Sequence, residues 1–169
     1  MRIALGSDHR GYHAKEKLKL LLEQLGYEVE DFGTNSTKAY DYPDVAWPVA
    51  TTVAQGKADR AILLCGTGLG VSISANKVPG IRAALCHDEL TAQMSRQHND
   101  ANILCLPADL IGEALTRRIV EVWLETSFEG GRHLRRVQKI TEIEKAALGS
   151  ASEPAAKPIE MIPELDSPL

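Results

Sequence analysis

The chain is 169 residues long, 44% hydrophobic and 25% charged, with 19 Lys and Arg against 23 Asp and Glu and a formal net charge of −4. Those values describe one ordinary globular domain. The mild acidity excludes a basic nucleic-acid or anionic-membrane binder, and no run of about 18 apolar residues is present to span a bilayer.

Arg2–Gly6 is a short apolar run that reads as a buried strand. After Ser-Asp-His-Arg-Gly, Leu18, Leu21, Leu22 and Leu25 recur at helical spacing, and Gly26 is placed to stop that helix in a left-handed cap. Tyr27–Phe32 alternates apolar and acidic residues, as a strand at or near an edge does, and Pro43 suits the first turn of a second helix. Ala61–Cys65 is another buried strand, and Gly-Thr-Gly-Leu-Gly after it opens a third helix. A strand over Ile81–Cys86, a helix over Asp88–Gln97 and a fifth strand over Asn102–Leu106 follow. Next comes a helix over Ile111–Leu124, with Leu115, Ile119, Val122 and Trp123 on one face. Leu134, Val137 and Ile140 mark a last helix ending near Leu148. This alternation predicts right-handed βαβ units, hence an α/β three-layer sandwich on a five-stranded, mostly parallel sheet. The domain is expected over 1–148. Residues 149–169, with Pro154, Pro158, Pro163 and Pro168 and no helical period, read as a proline-rich extension. It is either flexible or docked on a partner subunit through Ile159, Met161 and Ile162.

Ligands of such sheets bind beyond the carboxyl ends of the strands. The strongest local signal there is Cys65-Gly-Thr-Gly-Leu-Gly70, a turn whose amides would converge on an anion at a helix start. A dinucleotide fingerprint needs Gly or Ala where Val71 stands, and no Gly-Lys-Ser/Thr follows, so neither a nicotinamide nor a P-loop nucleotide is expected. Three cysteines without a Cys-x-x-Cys pair, and no apolar leader, predict a reducing, cytoplasmic setting. Cys65 stands at a strand end beside the glycine turn, an environment that favours a thiolate. Cys86 occupies a comparable strand end, whereas Cys105 lies inside an apolar run and reads as packing.

His9 follows Asp8 in a strand-end loop, where an Asp–His pair would keep the imidazole charged for an anion. His98 stands in the polar string Ser95-Arg-Gln-His-Asn-Asp100, either as a helix cap or as part of a site. Arg132 and Arg136 lie four apart at the start of the last helix, where cations oppose the dipole; a phosphate explains them better than the helix does. No metal is expected.

Ser7-Asp-His-Arg-Gly11, Asp41-Tyr-Pro43, Cys65-Gly-Thr-Gly-Leu-Gly-Val-Ser-Ile-Ser-Ala-Asn-Lys77, Gly80-Ile-Arg-Ala83, Ser95-Arg-Gln-His-Asn-Asp100 and Glu129-Gly-Gly-Arg-His133 together resemble the type B ribose-5-phosphate isomerases, in the wider group with galactose-6-phosphate isomerase. The resemblance runs from Arg2 to about Leu148. It implies a Rossmann-like homodimer, often paired into tetramers, with active sites shared between subunits and no cofactor. It also implies aldose–ketose isomerisation of ribose 5-phosphate and ribulose 5-phosphate through an enediolate. By that resemblance Cys65 is the base, Thr67 the neighbouring hydroxyl and His98 the residue that opens the furanose ring. Gly66, Gly68 and Gly70 supply amides for the oxyanion, Asp8 and Asn99 hold the sugar, Tyr42 lines the pocket, and His9, Arg132 and Arg136 bind the phosphate. One departure concerns specificity. Many relatives carry an arginine where Leu106-Pro-Ala-Asp-Leu-Ile-Gly112 has Asp109, a charge reversal that keeps four-carbon (erythrulose or erythrose 4-phosphate) and six-carbon (galactose or allose 6-phosphate) substrates open. A binding module that uses the glycine turn for nucleotides without turnover is the alternative of another class.

Overall fold

The computed structural model describes residues 1–149; the expected role of the extension therefore falls, apart from Gly149, outside the described residues. The elements are β1 (Arg2–Ser7), α1 (Tyr12–Gln24), β2 (Glu28–Asp31), α2 (Tyr42–Ala54), β3 (Arg60–Cys65), α3 (Leu69–Ala75), β4 (Ala83–Leu85), α4 (Glu89–Gln97), β5 (Ile103–Pro107), α5 (Glu113–Glu125) and α6 (Gly131–Gly149). The five strands lie in the order β2-β1-β3-β5-β4, and every pairing is parallel.

The inner strands are apolar throughout because helices cover both of their faces. Ile3–Ser7, Ala61–Cys65 and Ile103–Pro107 are buried without a break. One face packs against α2 and α3 through Val45, Val49, Val71 and Ala75; the other packs against α1, α4 and α5 through Leu18, Leu22, Ala92, Ile119 and Trp123. β2 alternates exposed and half-buried residues, as an edge strand does. α1 ends as its sequence predicts: Gly26 has φ 83°, its N–H reaches the Glu23 carbonyl, and the Tyr27 N–H reaches that of Leu22. β4 is shorter than the apolar run Ile81–Cys86. The Asn102 and Asn76 side chains accept the Arg82 and Ala83 N–H groups at 2.8 and 2.9 Å, so the strand ladder begins late.

Two features go beyond a simple sandwich. Lys15 of α1 is fully buried, its Nζ 2.8 and 2.9 Å from the Asp31 carboxylate oxygens and also bonded to Glu16. The last helix, α6, buries only His133 and Val137, while Leu134, Ile140, Ile143 and Leu148 stay exposed. Among the described residues nothing covers its apolar stripe. Among the described residues, no helix is long and apolar enough to cross a membrane.

Candidate active site

From β1 the chain steps to β2 on one side and then returns to β3 on the other. The reversal opens a crevice between the carboxyl ends of β1 and β3. Into it come the loop Ser7–Gly11, the turn Cys65–Gly70 and the start of α2.

Cys65 closes β3 with 4% exposure, and its Sγ accepts the Gly68 N–H at 3.1 Å. That bond aims the sulfur. It requires a left-handed residue, and Gly68 has φ 74°. A Cβ there would strike Leu85 and come within 3.1 and 3.2 Å of the Leu106 and Pro107 backbone. The Tyr42 ring lies against Gly70, where a Cβ would meet it at 2.8 Å. Thr67 is exposed at the apex; its hydroxyl accepts the Leu69 N–H at 3.4 Å, and its own N–H has no hydrogen-bond partner among the described residues. The loop after β5 underpins the turn, with Ala108 N–H on the Cys65 carbonyl and Asp109 N–H on that of Gly66.

Asp8 is buried, its N–H tied to the Leu64 carbonyl. Its Oδ1 accepts the N–H groups of Arg10 and Gly11 at 2.9 and 3.0 Å rather than facing His9. The Asp–His pair expected from sequence is therefore not formed. The His9 Nδ1 instead lies 3.2 Å from both the N–H and the carbonyl oxygen of Tyr40. The structure thus gathers Asp8, His9, Tyr42, Cys65, Gly66, Thr67, Gly68 and Gly70 at one end of the sheet.

It also separates the three thiols. Burial pushes the Cys86 thiol up, against hydrogen bonds involving Ser95 and Thr91. Burial pushes the fully enclosed Cys105 well above the usual thiol range, with Cys65 and Cys86 adding to it. Neither has a glycine turn beside it.

His98, Asn99, Arg132 and Arg136 do not join this cluster in one chain. His98 caps the end of α4, two residues after Arg96. Arg96 and Arg60 both stack on the Trp123 ring, at the amino end of β3. Arg60 and Cys65 are the two ends of β3, so at ~3.3 Å per residue about 16 Å of sheet separates them. Around His98 gather residues that sequence reasoning left undecided or passed over. The His133 ring stacks on His98 with centroids 4.0 Å apart and planes 2° from parallel. Glu129 lies 3.9 and 3.6 Å from the two imidazoles. Glu129 and His133 bound the motif Glu129-Gly-Gly-Arg-His133 and stand four apart. Burial lowers the His133 pKa, and His98, Arg132 and Arg136 push it further down. Arg132 Nε donates to its Nε2 at 3.2 Å. Both arginines are exposed on one side of α6.

His98, Glu129 and His133 bring possible metal-ligand atoms within 4.8 Å of one another. The trio forms where the end of α4 meets the segment leading into α6. The Arg132 guanidinium, however, already donates to the His133 lone pair a cation would need, and parallel stacked rings do not converge on a point.

Asp109 has a charged partner within the chain: its Oδ2 accepts Arg10 Nε at 2.6 Å.

A family model described as Ribose/Galactose Isomerase matches residues 3–140. Ribose-5-phosphate isomerase B of Escherichia coli is 48% identical over 144 residues, covering 85% of this chain and 97% of its own. A D-erythrulose-4-phosphate isomerase of Pectobacterium atrosepticum is 43% identical over 141 residues, covering 83% of this chain and 93% of its own. Among solved structures, ribose-5-phosphate isomerase B of Clostridium thermocellum superposes with a TM-score of 0.86 at 54% identity, covering 87% of this chain and 99% of that one.

Proposed function

The chain belongs to the ribose/galactose isomerase family, and on that premise we propose that it interconverts ribose 5-phosphate and ribulose 5-phosphate at sites shared between two copies of the chain. The observation that carries the shared site is the division described above: thiol, amides and aspartate at the carboxyl end of the sheet, imidazoles and arginines toward the amino end, where α4 finishes and β5 begins. A C2-symmetric dimer brings one end of each chain to the other end of its mate, twice. The α6 stripe, exposed among the described residues, and the exposed Trp47, Leu69 and Ile73 of α2 and α3 supply the apolar surface such a dimer buries.

In this reading His98 of a second copy donates a proton to the ring oxygen while the C1 hydroxyl gives one up to water, and the furanose opens to the aldehyde. The Cys65 thiolate then takes the C2 proton. Electron density moves onto the carbonyl oxygen, and the Thr67 N–H and neighbouring turn amides hold the resulting enediolate. The thiol returns the proton to C1 while the C2 hydroxyl proton passes to O1, and the C2–O bond becomes the ketone of ribulose 5-phosphate. Asp8 holds the sugar hydroxyls and Tyr42 walls the pocket over Gly70. Asn99, Arg132 and Arg136 of the second copy orient the chain and its phosphate, with His9 opposite. Chemistry of this kind needs no cofactor, and a free thiol base suits the cytoplasm.

The test is subunit complementation. Cys65→Ala and His98→Asn homodimers should each lose turnover of ribose 5-phosphate. Unfolded together and refolded, they form hybrids with one intact and one doubly altered site, so about a quarter of wild-type activity returns. No recovery from demonstrably mixed dimers would refute the shared site. The same chemistry on a four-carbon substrate is a second reading, favoured by the Pectobacterium relative. Comparing kcat/KM for ribose 5-phosphate and erythrulose 4-phosphate decides between them.

A further inference from the structure

Arg10 lies in the loop after β1, with its N–H held by Asp8. Its side chain crosses the β3 turn: a Cβ on Gly66 would meet Arg10 Nε at 2.9 Å, Arg10 Cδ at 3.1 Å and Asp109 Oδ2 at 2.5 Å. The absence of a side chain at residue 66 is what lets the ion pair lie flat on the backbone next to Cys65. Asp109 is itself fixed, because its N–H donates to the Gly66 carbonyl.

The pair is one-pronged. Only Arg10 Nε reaches Asp109, at 2.6 Å, and neither terminal nitrogen of the guanidinium has a hydrogen-bond partner among the described residues. A pair built for stability uses the bidentate fork, and an exposed one-pronged pair contributes little. The Arg10 side chain is 59% exposed. The pair's place therefore asks for another explanation: it sits on the turn of the catalytic thiol, one residue from His9, with two donors turned to solvent.

We infer that Arg10 is a substrate-binding residue that Asp109 aims, giving its free guanidinium nitrogens to the phosphate of the sugar. This rests on the function proposed above and adds to it a cation from the same chain as Cys65. Cys65 is buried and Arg10 exposed, so a substrate whose reacting carbons meet the thiol carries its phosphate outward past Gly66 toward the guanidinium. Asp109 is a positioning residue: it holds Nε and leaves the terminal nitrogens to the ligand.

The experiment measures steady-state kinetics on ribose 5-phosphate, competitive inhibition by inorganic phosphate, calorimetric binding of both, and thermal unfolding, for wild type, R10Q, R10K and D109N. R10Q should raise KM and the phosphate inhibition constant about tenfold, a typical loss for one hydrogen bond to a charged group, with kcat within about twofold. R10K should fall between, because the charge survives without the fork. D109N should raise KM by a smaller factor, and R10Q/D109N should be no worse than R10Q alone. An unchanged KM and unchanged phosphate binding in R10Q, with or without a lower melting temperature, overturns the inference and leaves the isomerase reading intact. A wild type that binds phosphate through Arg10 but does not turn over ribose 5-phosphate overturns the isomerase reading and supports Arg10 as a phosphate ligand.

Discussion

Gly68→Ala tests whether the turn after β3 is a constructed feature or merely a loop. Gly68 has φ 74°, where an L side chain costs ~1–2 kcal/mol. The added methyl would also strike Leu85 and press on the Leu106 and Pro107 backbone at 3.1 and 3.2 Å. Overpacking of that kind costs ~1–3 kcal/mol. The two contributions together come to about 3 kcal/mol, or a melting temperature lower by about 9 °C for a domain of this size. Gly56→Ala is the control. Gly56 has φ 69° with nothing within 4 Å of its Cβ position, so only the backbone contribution applies, about 1 kcal/mol and about 3 °C. Turnover separates the two further. Gly68 N–H is the donor to Cys65 Sγ, the group proposed as the base, and displacing a base by about 1 Å costs on the order of 100-fold. Calorimetric unfolding and kcat/KM on ribose 5-phosphate should thus show a large, paired loss in Gly68→Ala and a small, stability-only loss in Gly56→Ala. If the two variants melted together and both kept wild-type turnover, the steric argument for the turn would be wrong.

Four further outcomes are expected. Lys15→Met removes the nearest cation from the Asp31 carboxylate, leaving it Lys19 at 3.2 Å and the Gly33 N–H, and should cost about 2 kcal/mol by urea unfolding. Burial pushes the Asp31 carboxyl up, but hydrogen bonds from Lys15, the Gly33 N–H and Lys19 outweigh it and hold the group below the usual carboxylate range. Its contribution is therefore complete above the unfolded value near ~4 and is lost as pH falls through the folded one, so acid unfolding midpoints should converge between wild type and Asp31→Asn. Burial lowers the pKa of His133, with His98, Arg132 and Arg136 adding to the effect; the folded chain then binds fewer protons than the unfolded one around ~pH 6.5, which adds stability as pH rises. Its ring resonances in an NMR titration should move only at lower pH. Cys105→Ala should lower stability by ~1 kcal/mol with turnover intact, whereas Cys65→Ala should fold as wild type and lose C2 proton exchange in heavy water.

Much of the fold was legible in the chain because its information is local. Continuous apolar runs marked β1, β3 and β5, since both of their faces are covered. Leucine spacing marked α1, and Gly26 marked its end. The glycine turn and Cys65 were also legible, since a strand, a thiol and alternating glycines are contiguous. Spacing alone overran β4, because the side chains that cap it, Asn76 and Asn102, come from distant segments.

What the residue order by itself determined was therefore an alternating α/β chain with one unusual strand end and a scatter of histidines and arginines. Only the tertiary structure decided the strand order that sets β1 beside β3 and brings Asp8, Arg10 and Cys65 to one crevice. It also made Asp109 the partner of Arg10 across 99 residues of sequence, and put His98 and Arg132 at the far end of the sheet from Cys65. The physical reason is range. Propensity and periodicity act over one or two turns of chain, whereas salt bridges, stacked rings and half-sites depend on which segments the packed core makes neighbours.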